Sequence, residues 1–315
     1  MSAEPRGNNT RKMQGVKLTN LDKVLWPEDG ITKGQLIDYY LSMSCHLLRY
    51  LKDRPLYFTR YPDGIHGKWF YQKNVPVTAP PWIETWSDRS GTRLMIARSQ
   101  MDMLWIGSQA SIEIHPWFST RLNPLYPNYI VFDLDPAPPA GLEQVKVVAK
   151  TLCDILRYVG LVSFPKTSGA TGVHVCVPIR PVFSYEACRQ FVEVVARLVL
   201  KQHPDIVTLE RRVEKRSGKV YIDYLQNAIG KTVVSLFSPR PLTGAPVSVP
   251  FEWSELDGIR PSEYTLLNVP AIFKDRLFRI EYISNYPQDL LDAAEKLKRL
   301  MAAFAPARYD LSDHT

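Results

Sequence analysis

The stretch VFDLDP, residues 131–136, sets two carboxylates one residue apart inside an apolar run. In a strand running from residue 129 through 135, successive side chains point to opposite faces. Asp133 and Asp135 then project from the same face, about 7 Å apart along the chain. Two like charges that close call for a cation between them.

Working outward, PAPPAGLEQ leaves this strand and residues 142–159 show helical periodicity. After a Gly-containing turn comes a second strand, VHVCVPI, and residues 184–201 read as an amphipathic helix. VYIDYL and TVVSLF read as strands, and residues 287–304 as a last helix. Upstream, residues 32–51 carry Leu36, Ile37, Tyr40, Leu41, Leu47 and Leu48 at helical spacing, with Thr32 as N-cap. Residues 55–130 are richer in Pro, Trp and short β-like runs, RLMIA and SIEIH among them. Strands and helices mix without regular β-α-β alternation, which predicts an α+β fold rather than a doubly wound one. There is no internal repeat or low-complexity segment, and residues 1–15 read as a disordered tail.

With 315 residues, 45% hydrophobic and 23% charged, the chain has the composition of a soluble globular protein with a sizeable core. No apolar run approaches the ~18–20 residues that span a bilayer, and MSAEPRGNNTRKMQG is too polar for a signal peptide. A membrane association is not expected, and the expected location is cytoplasmic. Cys45, Cys153, Cys176 and Cys188 form no C-x-x-C pair and read as reduced, mostly buried thiols. The net charge of +7 favours an anionic partner. Tyr and Trp lying among the basic residues would let bases stack.

Three stretches converge on one chemistry. The first is the pair Asp133 and Asp135. The second is KTSGATGVH, residues 166–174, a Gly-punctuated turn whose backbone N–H groups can face an anion, with Lys166, Ser168 and His174 as further donors. The third is Asp223, a carboxylate in the apolar strand VYIDYL. Hard divalent cations take carboxylate, water and phosphate oxygens, so three aspartates beside a phosphate turn describe a two-metal phosphoryl-transfer site. Taken singly, a D-x-D pair is often a solvated strand end, and a lone buried histidine is more often a core residue than a ligand.

At these residues the chain resembles the polymerase domain of bacterial DNA ligase D, within the archaeo-eukaryotic primase superfamily. That family's motifs stand here as FDLDP (132–136), SGATGVH (168–174) and DYLQN (223–227). The likeness extends over LTNLDK from Leu18, TKG from Thr32, FYQK from Phe70, APPW from Ala79, HPW from His115 and SPR from Ser238. It implies a primase-type catalytic core of mixed and antiparallel sheets flanked by helices. A single domain would cover residues 16–305, with 129–240 as its core and 306–315 as a tail.

By the same resemblance, Asp133, Asp135 and Asp223 would hold two Mn²⁺ or Mg²⁺ ions. Ser168, Gly172, His174, Gln226, Arg240 and His115 would contact the incoming nucleotide, with Lys166 as a further contact. Asn20, Lys23 and Lys33 match a pocket for a 5′-phosphate on downstream DNA, and Phe70 and Tyr71 an aromatic pair that stacks on the template base. Many relatives have Lys where this chain has Thr171, which removes one triphosphate contact or leaves it to Lys166.

The implied reaction is template-dependent nucleotide addition, with NTP or dNTP as substrate and ribonucleotides preferred. It would act on DNA with a gap or 3′ overhang during double-strand break repair by non-homologous end joining, near the nucleoid. No K-x-D-G ligase motif is present, so a separate ligase and the end-binding protein Ku are implied partners. Two other classes share parts of this pattern: a non-catalytic DNA-end-binding module, and a haloacid-dehalogenase-type phosphohydrolase. The latter continues its motif as D-G-T where this chain has Asp135-Pro136-Ala137.

Overall fold

The structure, a computed structural model, describes residues 11–13 and 16–303. The chain begins with two small antiparallel pairs, β1 (Arg11–Met13) with β2 (Val16–Leu18) and β3 (Val24–Trp26) with β4 (Ile31–Thr32). Arg11–Met13 therefore lie in a strand, contrary to the tail expected over residues 1–15. The rest of that tail, residues 1–10 and 14–15, lies outside the described residues, as does 306–315.

Thr32 ends β4 and starts a helix. Its hydroxyl accepts from the Gln35 N–H while the Gln35 side chain accepts from the Thr32 N–H, so two helix-start donors are satisfied reciprocally. The single helix expected over residues 32–51 is two, α1 (Lys33–Ser42) and α2 (Ser44–Leu51). Met43, at φ −91° and ψ 3°, joins them. The break lets Leu36, Ile37 and Tyr40 and then Leu47, Tyr50 and Leu51 reach one apolar cluster.

A first sheet follows from β5 (Pro55–Arg60), β6 (Phe70–Gln72), β7 (Thr85–Ser87) and β8 (Arg93–Ile96), then α3 (Gln100–Ser108) and β9 (Ser111–Pro116). Its order is β6-β5-β8-β7, with β9 pairing β5, and every pair is antiparallel. RLMIA and SIEIH, the short β-like runs of the sequence, supply β8 and β9.

The second sheet comes from β10 (Tyr129–Pro136), α4 (Leu142–Tyr158), β11 (Phe164–Thr167), β12 (Val173–Pro178), α5 (Tyr185–Gln202), β13 (Val207–Thr208) and β14 (Val220–Asp223). The order is β11-β12-β10-β14-β13, antiparallel except for the parallel pair β13–β14. Ile130, Phe132, Leu134, Val173, Val175 and Val177 share a cluster with the apolar stripes of α4 and α5. Tyr129, Val131 and Cys176, on the opposite face by alternation, belong instead to the cluster of α1, α2 and α3. Each fully buried Val, Leu, Ile or Phe contributes roughly 1.5–3 kcal/mol by leaving water. The fold is α+β, with mixed and antiparallel sheets flanked by helices. The chain closes with α6 (Val269–Phe273) and α7 (Leu291–Ala303).

TVVSLF does not form a strand. Val233, Val234, Leu236 and Phe237 are all buried, so the run does not alternate, and Phe237 turns at φ 56°. Thr232 makes an isolated bridge with Trp117, and the Ser235 N–H donates to the Ile114 carbonyl. The last helix starts at Leu291 rather than at 287. Among the described residues no helix is long and apolar enough to cross a membrane.

Candidate active site

Strand register assembles the site. Asp133 on β10 pairs with Asp223 on β14 at one side and with His174 on β12 at the other, and His174 pairs with Lys166 on β11. Directly opposed residues share a sheet face, so Lys166, His174, Asp133 and Asp223 form one row across four strands. Asp135 stands two residues along from Asp133, opposite Tyr221. Beyond Asp223 the chain turns into a 3-10 helix, Tyr224–Gln226, and not into the longer strand the sequence suggests. Asn227 then takes over the pairing of β10: its Oδ1 accepts from the Val131 N–H at 2.9 Å and its Nδ2 donates to the Val131 carbonyl at 2.7 Å.

The row is electrostatically uneven. Burial alone would raise the Asp133 carboxyl, but His174, Lys166 and Arg240 hold its pKa below the ordinary value. His174 Nε2 lies 3.2 Å from Asp133 Oδ1. Burial and the Lys166 charge push the ring down to about 4, so it is neutral at pH 7 and donates to Asp133 from Nε2. Asp223 behaves in the opposite way: burial and the facing Asp133 charge raise its carboxyl, against donations from the Tyr221 hydroxyl and the Leu225 N–H. Asp135 is half in solvent and accepts from Arg216 Nη1 at 2.6 Å. The Arg216 guanidinium lies over the Tyr221 ring at 4.1 Å.

The Gly-punctuated turn closes on itself. Ser168 Oγ accepts from the Ala170 N–H at 3.2 Å and from the Gly172 N–H at 3.0 Å, so these two amides do not face outward as the sequence suggested. With both lone pairs engaged, the Ser168 hydroxyl keeps its proton to donate. The glycines are required by close approach. A Cβ at Gly172 would meet the Leu134 carbonyl oxygen at 2.4 Å, and one at Gly169, with φ +72°, would meet Arg240 and Ser248. Lys166, expected to reach a phosphate, is fully buried instead and donates to Ser248 Oγ at 2.7 Å. Burial pushes its ammonium down to about 7, with the Arg240 charge adding to the effect.

Arg240 ties the two sheets together. Its Nε donates to Glu113 Oε1 on β9 at 2.7 Å, and its Nη1 donates to the Ser168 carbonyl in the turn. Glu113 Oε2 also lies 3.5 Å from His115 Nε2, which is 3.2 Å from Thr59 Oγ1. Burial would raise Glu113, but His115 and Arg240 hold it at about 2. Gln226 sits half-buried at the end of the 3-10 turn. Glu113 and Arg216 were not singled out from the sequence. Alternation in SIEIH places Glu113 on the face of His115 and was a usable signal; nothing local marks Arg216.

The N-terminal residues come together at the start of α1. The Lys33 and Gly34 N–H groups donate to the Lys23 and Leu21 carbonyls, and Lys33 Nζ donates to the Thr19 carbonyl at 2.9 Å. Asn20, at φ 56°, makes the turn that brings Lys23 back. Lys33 is buried at the positive end of a helix, and burial, then Arg60, then Lys23 lower its pKa. Lys23 reaches Asp63 Oδ1 at 2.7 Å. Phe70 and Tyr71, on the edge strand β6, are 44% and 40% exposed, so neither is core. Arg60 lies over the Phe70 ring at 5.1 Å, and Tyr71 packs edge-on against Tyr57 and His115.

The donor set fits a divalent cation at Asp133 and Asp223. Two carboxylates face each other across adjacent strands, and burial together with the facing Asp133 charge holds Asp223 above its ordinary pKa, a cost that a cation would relieve. Asp135 joins them only by exchanging Arg216, and among the described residues no three acidic, His or Cys side chains stand together as a metal cage.

Residues 32–277, most of the chain, match the family described as LigD, primase-polymerase domain. The chain belongs to this family. Among curated LigD proteins it is 36% identical over 255 residues to the multifunctional non-homologous end joining protein LigD of Mycobacterium bovis, covering 78% of this chain and 34% of that protein. It is 33% identical over 253 residues to the bifunctional non-homologous end joining protein LigD of Bacillus subtilis, covering 80% and 41%. The chain thus spans about a third to two fifths of the length of these LigD relatives. Its fold matches a solved polymerase domain from Mycobacterium tuberculosis ligase D in complex with DNA, with a TM-score of 0.80 and 33% identity, covering 87% of this chain and all of that one.

Proposed function

We propose that the protein is a template-dependent nucleotidyltransferase that fills gaps or extends ends during non-homologous end joining, working with Ku and a ligase. The observation that carries this reading is the pairing of Asp133 with Asp223 beside neutral His174 in a LigD primase-polymerase chain. Mn²⁺ or Mg²⁺ held by Asp133 and Asp223, with Asp135, would supply charge neutralisation and polarise the primer hydroxyl and the phosphate oxygens.

The chain's own groups handle the anions. The Ser168 hydroxyl and the Arg240 guanidinium bind the triphosphate, with His115 and Gln226 at its margin. His174 orients Asp133, and Glu113 holds Arg240 and His115 in place. Arg216, five donors on a planar fork, holds Asp135, and would be free to meet a phosphate if a cation were held there instead. The 3′-hydroxyl attacks the α-phosphorus in line, and pyrophosphate leaves. Downstream, Asn20, Lys23 and Lys33 bind the 5′-phosphate: a desolvated ammonium at a helix start, beside Lys23 and Arg60, is stabilised by an anion. Phe70 and Tyr71 stack on the template base. The ribonucleotide preference belongs to this reading through a 2′-hydroxyl contact on the Ser168/His174 side.

The test is incubation with a 5′-phosphorylated gapped duplex, ribonucleotides or deoxyribonucleotides, and Mg²⁺ or Mn²⁺. Addition that requires metal and runs faster with ribonucleotides is expected. DNA binding without addition under any metal would replace this reading with the end-binding module, which the Asp135–Arg216 pair favours.

A further inference from the structure

Trp69 is 59% exposed, the most exposed of the chain's tryptophans, and nothing above assigns it a role. A lone exposed apolar side chain is ordinary, but this one is held in place. Its indole stacks on the Tyr61 ring, centroids 6.2 Å apart and planes 26° apart, and Tyr61 is itself buried. One face of the indole is fixed on the protein and the rest is left to solvent.

Register locates that free surface. The β5–β6 pairing ends at Arg60 with Phe70; just beyond it the Tyr61 and Trp69 rings meet, as the Tyr57 and Tyr71 rings do beside it. Trp69 and Tyr71 therefore share a face, two residues apart at about 3.3 Å each. Two stacked bases rise by nearly the same length, about 3.4 Å per nucleotide. Tyr71 is tied inward, its hydroxyl 3.1 Å from Thr232 Oγ1 and its ring against His115. Trp69 lies on the other side, toward the phosphate pocket: from Tyr61 the chain runs to Asp63, which holds Lys23, and the Ile65 N–H donates to the Leu25 carbonyl in β3. The surroundings are cationic, with exposed Lys68 and Lys73 flanking the aromatic run and Arg60 over Phe70.

We infer that Trp69 is a stacking platform for a nucleobase of the terminal base pair downstream of the gap, about two base rises beyond the base held at Tyr71 and next to the bound 5′-phosphate. This rests on the proposed gap binding and extends it. The aromatic edge then spans the break, with Tyr71 on the nucleotide side and Trp69 on the duplex side. Stacking on an indole is tolerant of base identity, so the contact adds affinity without sequence preference.

The experiment titrates parent protein, Trp69→Ala and Trp69→Phe against two 5′-phosphorylated gapped duplexes. One is intact; in the other, abasic residues replace the terminal downstream pair. Trp69→Ala should weaken binding to the intact duplex by roughly fivefold to a hundredfold, with Trp69→Phe between it and the parent. On the abasic duplex the three proteins should bind alike. Because Trp69 is exposed, the melting temperature of the Ala variant should match the parent's. Equal loss on both duplexes, or no loss on the intact one, overturns the stacking role, the latter leaving the patch to a protein partner. A parent that binds neither duplex overturns the gap-binding reading along with it.

Discussion

Asp133 and Lys33 are both charged groups largely withdrawn from water, yet their surroundings treat them differently. Asp133 sits in a row whose cross-strand neighbour donates to it and whose cations outweigh the cost of burial, so its charged form is favoured. Lys33 has one backbone carbonyl, and its nearest charges are two more cations, so its charged form is disfavoured. Asp223 resembles Lys33 more than it resembles the aspartate it faces. A charge the protein has already compensated is kept ionised and in place by its own neighbours, whereas one left uncompensated still gains from an ion from outside.

The largest expected effects would break or keep that distinction at the aspartates. Asp133→Asn and Asp223→Asn should each lower nucleotide addition at least roughly a hundredfold. Their stabilities should diverge: Asp133→Asn melts lower because it loses favourable charge partners, and Asp223→Asn melts higher because the cost of a buried carboxylate and its repulsion from Asp133 are relieved. Melting curves that shift in the same direction would show that the two carboxylates are held alike.

Glu113 tests the compensated class on the other sheet. Glu113→Gln leaves Arg240 without its carboxylate and should cost about 3 kcal/mol in denaturant unfolding. Its folded pKa of about 2 lies below the ordinary 4.5, so its contribution is complete above pH 4.5 and lost as pH falls toward 2. The difference in stability between parent and variant should therefore shrink over that acid window; a constant difference would refute the ion-pair account.

Much of this was legible in the sequence. Short apolar, β-like runs located β8, β9, β10 and β12, and the carboxylates at 133 and 135 do share a face. What was hidden depended on long-range partners. Glu113 looks like an ordinary polar position in SIEIH until Arg240, 127 residues away, is seen against it. Lys166 looks like a phosphate donor until Ser248 closes over it. TVVSLF has the composition of a strand, but the chain there is buried on all sides and takes its hydrogen bonds from Ile114 and Ser248 singly rather than from a continuous ladder.

The uncompensated class is sharpened by the pair Lys23 and Lys33. The parent should prefer a phosphorylated over a hydroxyl downstream end by about tenfold or more, and Lys23→Ala with Lys33→Ala should remove most of that preference while general binding to DNA persists. Paired titrations at one salt concentration read this directly, and an unchanged preference would move the pocket elsewhere. The smallest effect lies at the cap. Thr32→Ala should cost about 1 kcal/mol of stability and slightly weaken the phosphate preference, since α1 presents Lys33. A variant as stable as the parent would show that packing, not the capping box, holds the helix start.

Asn227 has a consequence for what the chain can become. A side-chain amide is a surrogate peptide group, an acceptor and an N–H donor on a short stem with a second N–H to spare, and here it stands in for a missing neighbour of β10 at Val131 while also donating to the Tyr224 carbonyl. Aspartate would bring two acceptors to a place that needs a donor, leucine would orphan both backbone groups, and glutamine is longer by a methylene. Because one side chain does the work of a strand, β14 can stop at Asp223 and the main chain can turn away. The chain can thus leave the ladder directly after the second of the two facing carboxylates without orphaning Val131, at the cost of leaving position 227 little freedom to vary.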